Sequence, residues 1–271
     1  MAIICREHKL LFIMVPGTGC SVVGKVLQEA VGGTFLPERA VRKNGRVVVQ
    51  RKHNRLPEIL EHGLMTEEER DEYLVFATVR NPFDRWVTYY QRYAGEWVDK
   101  YEGFAERQIE RDRKRFDLSK SEYRRRKKQV TWKMKKNRRR QRVIRGLGFN
   151  VWMTGTLLRW WWDAQESRRG SIGEYAFPML EGVDAVMYQE RLEEGLNEVL
   201  QRAGVSRSVR LPRKNKTSGK KPYDAYWAGP TQWLAATLLG DMMATFGYSY
   251  DGLESNKAVV QLSDRDFFKV L

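Results

Sequence analysis

Two stretches of the chain run apolar, stop at a polar turn and resume with helical spacing. Leu10-Leu11-Phe12-Ile13-Met14-Val15 is six apolar residues long, as a strand buried on both faces requires. Pro16-Gly17-Thr18-Gly19-Cys20-Ser21 interrupts it, and Val22, Val23, Val26 and Leu27 follow at helix period. Val75-Phe76-Ala77-Thr78-Val79 repeats the arrangement and ends in Arg80-Asn81-Pro82. Trp86, Val87 and Tyr90 then share one side of a helix. Pro82 suits a first helical turn, where its missing N–H costs nothing, and Asn81 suits the N-cap. Shorter strands are expected at 46–50 and 183–188, and another near 34–36. The alternation predicts a three-layer α/β domain with a mostly parallel sheet of about five strands and right-handed crossovers.

Both turns suit an anion. A glycine-rich turn that opens a helix aims backbone N–H groups and the positive end of the helix dipole at one point. Gly17 and Gly19 allow close backbone approach. Arg80 stands where a buried strand stops, the edge at which open α/β sheets bind ligands. Thr88 brings a hydroxyl eight residues on, about two helical turns along.

Together the two segments resemble the sulfotransferases that use 3′-phosphoadenosine 5′-phosphosulfate (PAPS), closest to the carbohydrate-type branch. Pro16, Thr18, Gly19 and Ser21 match the family's 5′-phosphosulfate loop without a gap. Arg80, Asn81, Pro82, Asp84 and Arg85 match its 3′-phosphate motif, with Thr88 where the family has serine. Val186 to Leu192 is similar to the family strand ending in a Tyr/Glu pair, and Asp241 to Tyr248 to its closing helix. The resemblance implies a P-loop-like sulfotransferase fold over residues 1–271. It also implies PAPS as co-substrate without a metal, and a hydroxyl-bearing acceptor. Pro16, Gly17, Thr18, Gly19, Cys20, Ser21, Arg80 and Thr88 would then hold the nucleotide. Lys216 and Lys220, in the basic loop 213–222, would fold over it.

One departure stands out. The family carries lysine after the proline of the first motif, against the oxygen that links sulfuryl group and nucleotide; here the residue is Gly17. Lys25, Arg51 and Lys52 are the nearby bases that could supply the charge. The transfer also needs a base with a pKa near neutrality. Of the three histidines, His8 precedes the first of these strands and His62 lies in a polar helix end. His53 follows the strand 46–50, expected in the same sheet, and is the candidate base; Glu58 and Glu96 are the carboxylate alternatives. A kinase or NTPase is the competing reading. Gly19-x-x-x-x-Gly24-Lys25 has Walker A spacing, but Val26 replaces the hydroxyl that would bind Mg²⁺.

Charge adds a second feature. Of the net +15, residues 106–145 carry +14, with nineteen Lys/Arg against five Asp/Glu. This block is proline-free and predicts one or two helices with a long solvated face, inside a helical insertion at 91–182. It would serve an anionic acceptor or, on an inactive sulfotransferase fold, nucleic acid; the resemblance favours the acceptor. Trp160-Trp161-Trp162 must face different sides of a helix, as core or as an acceptor wall. Two cysteines, Cys5 and Cys20, imply no disulfide framework. No apolar run approaches the ~18 residues of a membrane span. The expectation is a cytoplasmic protein with no membrane partner.

Overall fold

The computed structural model describes residues 2–43, 46–49, 53–95, 97–116, 119–167, 179–212 and 221–262. Packing divides the chain into two compact units. The first comprises residues 1–85, 159–216 and 235–271; the second comprises 86–158 and 217–234.

The first unit holds the sheet. Its strands are β1 (Ala2–Cys5), β2 (Leu10–Ile13), β3 (Thr34–Leu36), β6 (Leu74–Val79), β7 (Ala185–Tyr188) and β8 (Val259–Gln261), in spatial order β3-β1-β2-β6-β7-β8. β2, β6 and β7 pair in parallel. β1 is antiparallel to both β2 and β3, and β8 to β7, so four of the six strands point the same way. The sheet therefore has six strands rather than five, with antiparallel β1 and β8 unforeseen.

Side chains alternate between the faces of a strand. Leu10, Phe12, Met14, Phe76 and Met187 join one core cluster with Val23 and Leu27 of α1 (Cys20–Ala30). Leu196 and Val199 of a later helix, Leu192–Arg202, complete it. On the opposite face Leu11, Ile13, Val75, Ala77 and Val186 are also buried. Burial on both faces is why these strands read as unbroken apolar runs.

A second correction concerns residues 46–50. Among the described residues strand β5 (Arg46–Val49) pairs with β4 (Val41–Lys43) alone, in a separate two-stranded antiparallel ribbon. Short helices α2 (Leu56–Glu61) and α3 (Glu67–Glu72) lead on to β6. Thr66 caps α3, accepting from the Glu69 N–H at 3.1 Å while the Glu69 carboxylate takes the Thr66 N–H.

The second unit is helical. It takes the later part of α4 (Pro82–Ala94), all of α5 (Trp97–Phe116) and most of α6 (Lys120–Ser167), which is broken at Gly148 (φ 72°, ψ 174°). Tyr90, Phe149, Trp152 and Tyr226 form an aromatic cluster with ring centroids 5.3 to 6.3 Å apart. Asn150 clips the chain at Tyr226 and Ala228, donating to the Tyr226 carbonyl and accepting the Ala228 N–H, both at 2.8 Å. The basic block 106–145 falls on α5 and α6, as its composition predicts, and most of its described cations are exposed. Trp161 and Trp162, farther along α6, are exposed, so the tryptophan run does not form a helix packed on all sides. Among the described residues no helix is long and apolar enough to cross a membrane.

Candidate functional site

The turn between β2 and α1 is shaped by two glycines. Gly17 and Gly19 have φ of 83° and 81°, where a Cβ is strained. A Cβ on Gly19 would also stand 2.9 Å from Leu192 Cδ2. Four successive carbonyls of this turn are held by side chains. His53 Nδ1 lies 3.0 Å from the Met14 oxygen, and Thr18 Oγ1 donates to Val15 at 2.8 Å. Arg85 Nε donates to Pro16 at 3.3 Å and Arg80 Nη1 to Gly17 at 3.0 Å. A trans peptide sends its N–H opposite its C=O, so fixing the carbonyls also aims the N–H groups. Among the described residues, the N–H groups of Gly17, Thr18, Gly19 and Ser21 have no backbone acceptor. They lie just ahead of and within the first turn of α1, the end of a helix where backbone N–H groups are left over.

Thr18 contributes backbone only. Its hydroxyl is fully buried and bonds the Val15 carbonyl and the Thr78 hydroxyl, pinning the turn to β6. Cys20 is buried too, while Ser21 is exposed on the first turn of α1. The Walker-like spacing does not form a phosphate loop, because Gly24 and Lys25 lie inside α1. Lys25 is exposed and pairs with Glu29 at 3.3 Å.

The second turn is equally specified. Asn81 caps α4, its Oδ1 accepting the Phe83 N–H at 2.9 Å and the Asp84 N–H at 3.4 Å. Its own N–H donates to Glu190 Oε1 at 3.1 Å, and its Nδ2 to the Ser249 carbonyl at 3.1 Å. Arg80 Nε donates to Asp84 Oδ2 at 2.8 Å, so a carboxylate holds the guanidinium while another of its nitrogens reaches the first turn. Thr88 sits farther along the same helix and is buried.

His53 arrives by another route than expected. The strand next before it, β5, belongs to the ribbon and not to the main sheet. Instead the residue takes a left-handed backbone, φ 61°, rare for a side chain of this size, and docks its ring on the first turn. A carbonyl can only accept, so in this contact Nδ1 carries the proton. Of the alternatives, Glu58 is occupied with the Arg55 N–H and Nε at 3.1 and 3.2 Å. Arg51, Lys52, Glu96, Lys216 and Lys220 lie outside the described residues.

Three residues that the motifs include, Arg85, Glu190 and Tyr248, make supporting contacts that the sequence does not show. Arg85 is almost wholly buried and adds a second guanidinium at the turn. Glu190 ties the Asn81 N–H to the Tyr248 hydroxyl, which donates to its Oε2 at 2.8 Å. Burial first, and then the Glu190 carboxylate, push the Tyr248 hydroxyl far above the usual tyrosine range, so it remains a neutral donor. Arg85 and Glu190 lie within segments singled out for their motifs; that they support the turns follows only from long-range contacts.

A six-stranded, mostly parallel α/β sheet with a glycine turn after β2 and an arginine-bearing helix start after β6 places the protein in the α/β class. The chain belongs to the sulfotransferase family, whose model matches residues 1–232. No curated protein and no solved structure matches it.

Proposed function

We propose that the protein transfers the sulfuryl group of PAPS to a hydroxyl acceptor. The observation that carries this reading is the contact between the two turns, Arg80 Nη1 on the Gly17 carbonyl at 3.0 Å. It brings a guanidinium to the glycine turn, which supports a nucleotide with phosphates on its 3′ and 5′ sides.

In this reading the N–H groups of residues 17–21 bind the 5′-phosphosulfate, and Arg80 with Thr88 binds the 3′-phosphate. Lys216 and Lys220 close over the nucleotide. His53 Nε2 takes the acceptor's proton as its oxygen attacks sulfur. The S–O bond to the phosphate then breaks, and 3′-phosphoadenosine 5′-phosphate leaves. Negative charge grows on the departing oxygen, where Gly17 offers no cation. The turn's N–H groups stabilise it, with Lys25, Arg51 or Lys52 as the added charge. Lys25 would have to leave Glu29 to do so. The acceptor is a hydroxyl compound, anionic if the basic block recruits it.

Calorimetric titration with PAPS, 3′-phosphoadenosine 5′-phosphate and ATP, each with and without Mg²⁺, tests the reading. The expected result is metal-independent binding of the two 3′-phosphorylated nucleotides in preference to ATP. Mg²⁺-dependent ATP binding that ignores a 3′-phosphate would overturn it in favour of a kinase or NTPase.

A further inference from the structure

The outer face of α6 combines two properties that an acceptor or a nucleic acid does not need together. Residues 125, 128, 132, 136, 139, 143 and 147 are all exposed and recur in steps of three and four, so they lie on one face of the helix. Four are cations: Arg125, Lys128, Lys136 and Arg139. The other three are Trp132, 61% exposed, Val143, 51%, and Leu147, 47%. The opposite face, through Val130, Met134, Gln141 and Ile144, is the one turned inward. The Lys136 ammonium lies 5.3 Å from the Trp132 ring, so charge and aromatic surface are presented side by side. Beyond the break at Gly148, Val151, 60%, and Leu158, 49%, are exposed too.

We propose that this face of α6 docks on an anionic lipid bilayer surface. Cations alone would serve a polyphosphate, and phosphate contacts gain nothing from exposed valine and leucine. A bilayer interface uses both: its anionic headgroups attract the arginines and lysines, and its acyl boundary takes the tryptophan and aliphatic side chains. Long cationic side chains lie along an apolar surface with their heads in water, which lets both kinds of residue share one stripe. A second copy of the chain is a poor occupant, because it would bring the same positive face. Association of this kind needs no spanning segment, so it stands apart from the expectation of no membrane partner, which rested on the lack of such a span. It is also independent of which nucleotide the first unit binds.

The test is co-sedimentation of the full chain with phosphatidylcholine vesicles, with and without about a third phosphatidylserine, over a range of salt, beside binding to a DNA duplex. The protein is expected to bind the anionic vesicles and not the neutral ones. Replacing Arg125, Lys128, Lys136 and Arg139 with Gln should weaken this on the order of a hundred-fold or more, at about five-fold per cation near the surface. The triple change Trp132→Ser, Val143→Ser and Leu147→Ser should weaken it about ten-fold or more with all cations kept. All seven positions are exposed, and an unchanged helical circular dichroism spectrum verifies that each variant folds. Vesicle binding untouched by the triple change would overturn the proposal, since the face would then act by charge alone. So would tight duplex binding with no response to vesicles, which would assign the face to nucleic acid.

Discussion

Arg80→Ala is the perturbation whose size the structure constrains best. The side chain is 15% exposed, and its guanidinium is shared between Asp84 and the Gly17 carbonyl. A unit charge about 4 Å from a phosphate at an effective dielectric near 20 gives an attraction of ~4 kcal/mol. Part of that field is already cancelled by Asp84, so the net contribution falls to about 1.5–3 kcal/mol, ~10- to 150-fold in Kd. The fold should tolerate the change, because Asp84 remains in the first turn of α4, where the helix dipole favours a carboxylate. The assay is a ligand pair: titration of wild type and variant with 3′-phosphoadenosine 5′-phosphate and with adenosine 5′-phosphate, which lacks only the 3′ group. The loss should fall on the first nucleotide and leave the second within about two-fold. Equal losses on both would refute the assignment of Arg80 to a 3′-phosphate and make it a support for the first turn alone.

Other substitutions probe the remaining parts. His53→Ala should lower turnover by about 10²–10⁴ while leaving nucleotide affinity nearly unchanged; retained turnover in a steady-state assay would move the base role to a carboxylate. Gly19→Ala should lower the denaturation midpoint and nucleotide affinity together, since φ is 81° and the new Cβ meets Leu192 at 2.9 Å; a wild-type midpoint would mean the turn is not strained. Of Lys25→Ala, Arg51→Ala and Lys52→Ala, the one that removes the transition-state cation should cost kcat about ten-fold or more with PAPS affinity kept; full activity in all three would leave the N–H groups as the sole stabilisers. Burial of Cys5 raises its thiol pKa from 9.0 to about 11. A raised folded-state pKa contributes stability below the unfolded value that is lost as pH climbs through the folded one. Urea midpoints should therefore show wild type losing ground against Cys5→Ala between pH 9 and 11, and a pH-independent difference would contradict the buried-thiol argument.

How much of this was readable follows from what each element needs. β2, β6 and β7 announced themselves because strands buried on both faces must be apolar throughout, and both turns showed through residues that tolerate little else, Gly17, Gly19, Asn81 and Pro82. β1 is only Ala2–Cys5 and β8 only Val259–Gln261, too short for a period to register. The strand at 46–49 was legible, but nothing in Arg46-Val47-Val48-Val49 says which partner it pairs with, so its place in the main sheet was wrong. His53 was reached from that wrong premise. At the first turn it has a left-handed backbone and a ring contact with the Met14 carbonyl, neither of which a local pattern encodes. Thr18 was legible as part of the turn, but the inward rotation of its hydroxyl onto Thr78 was not. The tethers from Arg80, Arg85 and Glu190 span 63 to 109 residues, a range at which sequence spacing carries no information.

The most direct test of a PAPS site is a crystal structure of the protein with 3′-phosphoadenosine 5′-phosphate. The 5′-phosphate should lie on the backbone N–H groups of residues 17–21 and the 3′-phosphate within hydrogen-bond reach of the Arg80 guanidinium and the Thr88 hydroxyl. A nucleotide bound the other way round, or away from both turns, would contradict that placement.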